Sequence, residues 1–413
     1  MPRTRIRNLF PPFLLIVALG FCFFSGSSEL PAAEVDLKPG DTIGPQNWQR
    51  VQGMVGENLL NRIKQGYTFK IKESRPRRDP KEFLEATEKH SGRVSLGPNG
   101  QLVNYVAGLP FPKPDPNDSQ AGLKLAWNFS RRWLGDDHKE GGGTATGKAV
   151  SNIIEKDGSE RRSELIRYQI FTRGRVTLAP RPAFEGYDHI EWMNLRADEY
   201  PRDTSGTTTL EIRYIDPNRE DDLYIYVPSI RRVRRAPPIQ RCATLAPTEF
   251  IWDDVNSFNG KVTDFNYKFL GEKQMLGNFS QQHFPLHRKT GDYLALDEGW
   301  EVVNTYVLEV TPKDPSYCYP KKTLFIDRLT HQAVWVMILD AKGNSWKELS
   351  NSFAPVKLVD GQEVLSSTSP IIVNMQNGRS TFLASTRAFN QGYQPTFFTL
   401  ATLQTVMRGG TVR

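Results

Sequence analysis

Asp222–Arg235, DLYIYVPSIRRVRR, opens as a strand and ends as a cationic corner. Leu223, Ile225 and Val227 fall on one side of the alternation and Tyr224 and Tyr226 on the other, the period of two that marks a sheet. Pro228 has no N–H to give a ladder and ends the regular run. Arg231, Arg232, Arg234 and Arg235 follow, broken only by Val233. An aromatic body leading into a charged rim predicts a ligand- or partner-binding surface made of Tyr224, Tyr226, Arg232, Arg234 and Arg235. Three readings of the cluster stay open. It can bind phosphate or a lipid headgroup, since guanidinium pairs phosphate bidentately. It can dock a partner, or it can pair internally with carboxylates such as Asp253 and Asp254.

Outward from this stretch the same alternation recurs. Ser163–Thr172, His189–Arg196, Thr207–Ile215, Val262–Leu270, Glu301–Val310, Lys322–Asp327, Ala333–Leu339 and Trp346–Phe353 all read as strands, with Pro370–Met375 and Ser380–Ser385 after them. Asp216-Pro217-Asn218, Lys342-Gly343-Asn344 and Asp360-Gly361 supply turns between them. Short strands joined by hairpin-length turns build an antiparallel sheet, because parallel pairs need long crossovers.

The first 150 residues differ. Pro45–Lys64 carries Trp48, Val51, Val55, Leu59 and Ile63 at helical spacing and reads as one helix. Asp79-Pro80 with Glu82 reads as a capping box opening a second helix that ends near Gly92. Pro110, Pro112, Pro114 and Pro116 make Gly108–Gly122 a stiff connector. Ser119 then caps a third helix to Leu134, and Gly141–Gly143 reads as a loop. Gln394–Met407 reads as a last short helix. Amphipathic helices need an apolar face to cover, and a sheet of this many strands must curl, split or close. The expected fold is therefore α+β and mainly β: a large curved antiparallel sheet, an incomplete β-barrel, with a few helices on its concave side. Residues 34–149 form the helical and extended region and 150–413 the β core, as one continuous domain.

Arg3, Arg5 and Arg7 precede an apolar run from Leu9 to Phe24, and small residues follow up to Ala32–Ala33. This reads as a secretory signal peptide over residues 1–33, cleaved near Ala33. Its removal lowers the formal net charge from +7 by three arginines and one glutamate, to +5. The expected location is the periplasm, with outer-membrane association as an alternative. Nucleic acid is not expected as a partner, because the arginine run is short and the chain reads as exported. Cys242 and Cys318 then remain, and an oxidising compartment permits one disulfide between them.

The chain shows no constellation for catalysis. His283 and His287 have metal-ligand spacing, but Pro285 lies between them and no third ligand is near. Asp216, Asn218, Glu220 and Asp222 alternate as in a calcium loop, yet Asp221 stands where glycine is required and Val227 where the bidentate glutamate belongs. Asp115, Asn117, Asp118 and Ser119 fail the same comparison. No nucleophile elbow or phosphate loop is present. No metal, cofactor or catalytic residue is expected.

The order of longer segments carries a resemblance. LYIYVPSIRRVRR (Leu223–Arg235) is followed by DDVNSFNGKVTDFNYKFLGEK (Asp253–Lys273), YVLEVTPKD (Tyr306–Asp314) and KTLFIDRLTHQ (Lys322–Gln332). These, with NYVAGLPFPKPDPNDSQAGLKLAWN (Asn104–Asn128), resemble the family called domain of unknown function 1329, and more distantly the outer-membrane lipoprotein-sorting, Lol-type carriers. The resemblance implies an incomplete antiparallel barrel with helices lidding an apolar cavity, and no chemistry. It implies a carrier or chaperone for a lipid, a lipoprotein acyl chain or another hydrophobic molecule. It also implies an inner-membrane exporter-type protein as partner. An adaptor subunit of an envelope export complex is the alternative, and an envelope hydrolase a third.

Overall fold

The computed structural model describes residues 36–142, 147–237, 241–245 and 247–406. The expected signal peptide and its cleavage point lie outside them, as do Gly143 and Met407. Four short strands come first: β1 (Thr42–Ile43), β2 (Phe69–Ile71), β3 (Ser95–Leu96) and β4 (Leu102–Val103). Helices α1 (Glu57–Lys64), α2 (Lys81–His90) and α3 (Ala121–Arg131) are interspersed with and follow them. A first meander contains β5 (Asp137–Gly142), β6 (Ala149–Ile154), β7 (Glu160–Phe171), β8 (Ile190–Tyr200), β9 (Thr208–Tyr214), β10 (Asp222–Val227) and β11 (Arg232–Arg235). A second contains β12 (Phe265–Gly277), β13 (Gly299–Pro312), β14 (Lys321–Asp327), β15 (Ala333–Leu339) and β16 (Ser345–Ser350). The hairpin β17 (Phe353–Lys357) and β18 (Glu363–Ser367) stands apart, and β19 (Ile371–Asn374), β20 (Ser380–Ala384) and β21 (Thr386–Phe389) rejoin the sheet before α4 (Leu400–Thr405).

Pairing joins the two meanders in the middle. β20 lies against β6 on one side and β19 on the other, and β19 lies against β16. The sheet therefore runs from β11 through β6 and β20 to β12, with β5 and β21 beside the inner half of β7. Its long-strand pairings are antiparallel, and one parallel contact, β2 on the start of β13, makes it mixed. Register shifts at Glu164/Leu165, Phe269/Gly271, Phe325/Ile326 and Ile338/Leu339 are bulges, which sharpen local twist and curl a large sheet. Among the described residues the edge strands β11 and β12 do not pair with each other, so the barrel stays open. They are consecutive among the strands, and the described residues of the connection, 241–245 and 247–264, lie between the two edges.

Several helix boundaries differ from the sequence reading. Pro45–Lys64 is not one helix: Trp48–Val51 is a 3-10 turn, and Gly53 at φ +80° interrupts before α1. The predicted capping box at Asp79 is not made, because α2 starts after Pro80 with no side-chain cap. Asp79 is instead buried, and burial with the nearby Asp327 charge pushes its carboxyl well above the usual range. Ser119 does not cap α3, whose N-cap is Gln120. Gly122 in α3 is pressed onto β12, where a Cβ would sit 2.6 Å from the Tyr267 carbonyl oxygen. Gly141 and Gly142 belong to β5 rather than to a loop. Trp346–Phe353 splits between β16 and β17.

Leu125 and Phe129 of α3 pack with Phe250, Phe258, Leu308, Leu324, Ile326, Val336, Ile338 and Leu349. Leu349 also lines a cavity inside the curved sheet, so this core lies on the concave face. α4 lies elsewhere: Leu403 and Phe398 pack with Tyr168, Leu195, Leu210 and Tyr226. These strand residues alternate with the cavity-lining Arg167, Asn194, Arg196 and Glu211, so α4 covers the convex face. The expectation of helices on the concave side thus holds for α3 and not for α4.

Candidate functional site

The connection between the edge strands is pinned at both ends. Arg241 bonds Glu211 of β9 at 2.6 Å and Asp253 at 2.7 Å, and donates to the Asn259 carbonyl at 2.8 Å. On the other side Asp253 accepts from the Tyr317 hydroxyl at 2.9 Å. Asp254 accepts from Lys322 Nζ at 2.9 Å and from the Tyr319 hydroxyl at 3.0 Å. Cys242 and Cys318 are joined as a disulfide with Cα atoms 5.6 Å apart, which ties the same connection to the turn between β13 and β14. The segment is a fixed bridge across the mouth of the curved sheet.

Beneath the bridge lies a cavity with about 1010 Å³ of atom-free space including its open mouth, of which about 100 Å³ admits the centre of a water molecule. The surface that it presents is mainly apolar, from Leu165, Leu245, Phe250, Trp252, Val255, Leu349, Phe353 and Leu383. One wall is different. Register places Arg387 opposite Glu140, Glu140 opposite Arg167, Arg167 opposite Arg196, and Asn194 opposite Glu211, all on the cavity side of β21, β5, β7, β8 and β9.

Asn256 from the bridge reaches this wall. It takes φ +54°, a left-handed conformation that asparagine tolerates better than most residues. Its Oδ1 accepts from Arg387 Nη2 at 2.6 Å and from Arg167 Nη2 at 3.4 Å, and its carbonyl accepts from Arg132 Nη2 at 2.8 Å. Arg167 Nε also bonds Glu140 at 2.6 Å. Burial raises the Glu140 carboxyl, but Arg167 and Arg387 pull harder and hold it below the usual range. Burial, with the neighbouring Arg387 charge, lowers Arg132 to about 9, and burial lowers Arg387 to about 10. Buried His138 is pushed well below its usual value by desolvation and then by Arg387 and Arg167, so it is neutral.

The sequence-predicted residues fall apart here. Tyr224 and Tyr226 face outward: Tyr224 stands opposite Leu210, and Tyr226 is buried in the core under α4. The Tyr224 hydroxyl lies 3.3 Å from Asp222 Oδ2, and Arg235, on the same face, bonds Asp222 at 2.8 Å. Arg232 and Arg234 lie on the opposite face of the edge strand and are exposed. Among the described residues Arg231, Arg232 and Arg234 form no ion pair. Asp253 and Asp254 are not partners of the cluster, since Arg241 and Lys322 hold them. His283 and His287 lie outside any helix with ring centroids 6.1 Å apart, and among the described residues no three His, Cys, Asp or Glu gather to hold a metal.

The inner arginines escaped the sequence reading although they left a signal. Arg167 and Gln169, Asn194 and Arg196, and Glu211 and Arg213 are polar pairs two apart in successive strands. Such pairs read as a solvated face, because alternation reports two faces without saying which is enclosed.

A family profile described as "Protein of unknown function (DUF1329)" matches residues 42–404. No curated protein matches the chain. Among solved structures it is similar to a DUF1329 family protein from Desulfovibrio piger, at 20% identity and a TM-score of 0.51, over 70% of this chain and 100% of that one. It is also similar to a Vibrio parahaemolyticus domain that carries a provisional outer membrane lipoprotein-sorting name, at 17% identity and a TM-score of 0.50, with the same coverage. At these identities the likeness concerns the fold.

Proposed function

The chain belongs to the DUF1329 family, and on that footing we propose that it is an exported carrier for a hydrophobic or amphiphilic molecule in the cell envelope, binding it without chemistry. The observation that carries this reading is the bridged cavity: an open sheet whose inner face is left partly unfilled beneath a segment fastened by a disulfide and two buried aspartates. Natural cores are packed close to crystal density, so unfilled space with aromatic walls is a costly feature for a purely structural domain. Each methylene of a ligand taken from water into such walls stabilises the complex by about 0.8 kcal/mol. The arginine-led apolar N-terminus supports export. Among the described residues no helix is long and apolar enough to cross a membrane.

Native mass spectrometry of the chain recovered from the periplasm, followed by organic extraction, tests the proposal. A discrete adduct extracting as lipid is the expected result, and a bare mass under gentle conditions counts against it. The exposed edge strand β11 supports a second reading. Its Arg232 and Arg234 side chains border an unpaired strand edge, a surface suited to strand addition by an anionic partner. A stoichiometric membrane partner in a pull-down, with no lipid, would favour the adaptor role.

A further inference from the structure

Two N–H groups on the charged wall have no acceptor among the described residues. Arg167 Nη1 and Arg387 Nε are both buried and unbonded, although each residue lines the cavity. Arg167 is 6% exposed and Arg387 8%. A buried donor without a partner is uncommon and costly, and more so when the group is charged. The surrounding charges do not settle the account. Arg196 is paired with Asp198, Glu211 with Arg241, and Asp254 with Lys322. Glu140 faces the guanidinium groups of Arg167 and Arg387, and Arg132, which bonds the Asn256 carbonyl, adds a third cation to the same wall; burial pushes the Asp79 carboxyl, which acts on Arg132, well above its usual range. Asn256 contributes one dipole to these cations and no charge. A water molecule could satisfy an N–H, yet it would leave the excess positive charge buried.

We propose that the cavity takes an amphiphile with one anionic oxygen headgroup, a carboxylate or a phosphate monoester, seated on Arg167 and Arg387 beside Asn256, with its apolar chain along Phe250, Trp252, Leu349 and Phe353. The assignment rests on the carrier reading and adds the ligand's charge to it. Oxyanion and guanidinium are geometrically matched, and charge-assisted hydrogen bonds are roughly twice as strong as neutral ones. The apolar part of the cavity begins on the same inner surface, so one molecule can meet both chemistries.

The test titrates dodecanoate, dodecanol and inorganic phosphate into chain shown to be empty by native mass spectrometry. Tryptophan fluorescence and calorimetry report binding, since Trp252 lines the cavity. Dodecanoate is expected to bind about tenfold or more tighter than dodecanol, in keeping with charge-assisted bonds to buried guanidinium. Arg387→Gln and Arg167→Gln are each expected to bring that ratio close to one. Arg387→Lys keeps the charge without the fork and should give an intermediate ratio, which protects the test if a neutral variant folds poorly. Equal affinity for acid and alcohol overturns the headgroup assignment and leaves the carrier reading standing. Binding of neither overturns both. Phosphate binding without dodecanoate binding makes this a free-anion site and overturns the amphiphile, and an unchanged ratio in both Gln variants overturns the residues named.

Discussion

Strands β7–β9 and β13–β15 belong to one sheet and follow the same alternation, yet they turn opposite chemistries inward. In β13–β15 the inner residues are Leu308, Val310, Leu324, Ile326, Val336 and Ile338, packed beneath α3 and the bridging segment. In β7–β9 the inner residues are Arg167, Gln169, Asn194, Arg196 and Glu211, and the apolar partners Tyr168, Leu195 and Leu210 face out under α4. One half has its core inside the curve and the other outside it. The cavity lies where the two meet, which gives it an apolar body and a cationic wall. A barrel with a uniformly apolar interior would hold any greasy molecule, whereas the anionic headgroup seat proposed for this cavity would select by charge.

The comparison can be broken most sharply at the bridge. Asp254→Ala leaves Lys322 buried without its carboxylate and should cost about 3–5 kcal/mol in denaturant unfolding. A loss under 1 kcal/mol would mean that the bridge is not what holds the two halves together. Next come the inner faces themselves. Leu324→Ala in the packed half should cost about 2–5 kcal/mol, while Arg387→Gln in the charged half should leave stability nearly unchanged or raise it. Removing an incompletely paired buried charge relieves its desolvation cost. Similar losses at both positions would refute the contrast between the halves.

Cys242→Ser should cost about 2–4 kcal/mol, since the disulfide closes a long loop with a sequence separation of 76. Unfolding with and without reductant checks this. A pH effect sharpens the packed half. Glu348 on the outer face is buried, and burial raises its carboxyl from the usual 4.5 to about 7. The folded chain therefore keeps a proton between those values that the unfolded chain has released. This group's contribution makes stability fall as pH rises through that window and level off above it. Glu348→Gln should flatten the slope over pH 4.5–7. The smallest effect is expected under α4, where the Thr399 hydroxyl accepts from the Thr402 N–H as an N-cap. Thr399→Ala should cost about 1 kcal/mol.

Much of this architecture could be read from the chain. Alternation located β10 at its observed bounds and most of the long strands within a few residues, because a half-buried strand must repeat at two. The turn residues between them implied antiparallel neighbours. The two remaining cysteines matched the pair that the fold brings together. The candidate site was less legible. The conspicuous cluster Arg231–Arg235 lies at an exposed edge, while the arginines that meet in the cavity come from four separate stretches, at Arg132, Arg167, Arg196 and Arg387.

What the sequence determined by itself was the set of strands, the turns that pair them and the two-faced character of each, since these follow from local sterics and spacing of two. Which face is enclosed was decided only by tertiary structure. That choice depends on where α3, α4 and the bridge come to rest, and these contacts join residues far apart in the chain. The same holds for the N-terminus of α1, which is served by Glu348 through the Asn58 N–H at 2.9 Å and not by a neighbour of its own. Alternation fixes that two faces differ. Burial, which costs a charge dearly and an apolar side chain nothing, is a property of the assembled surfaces around them.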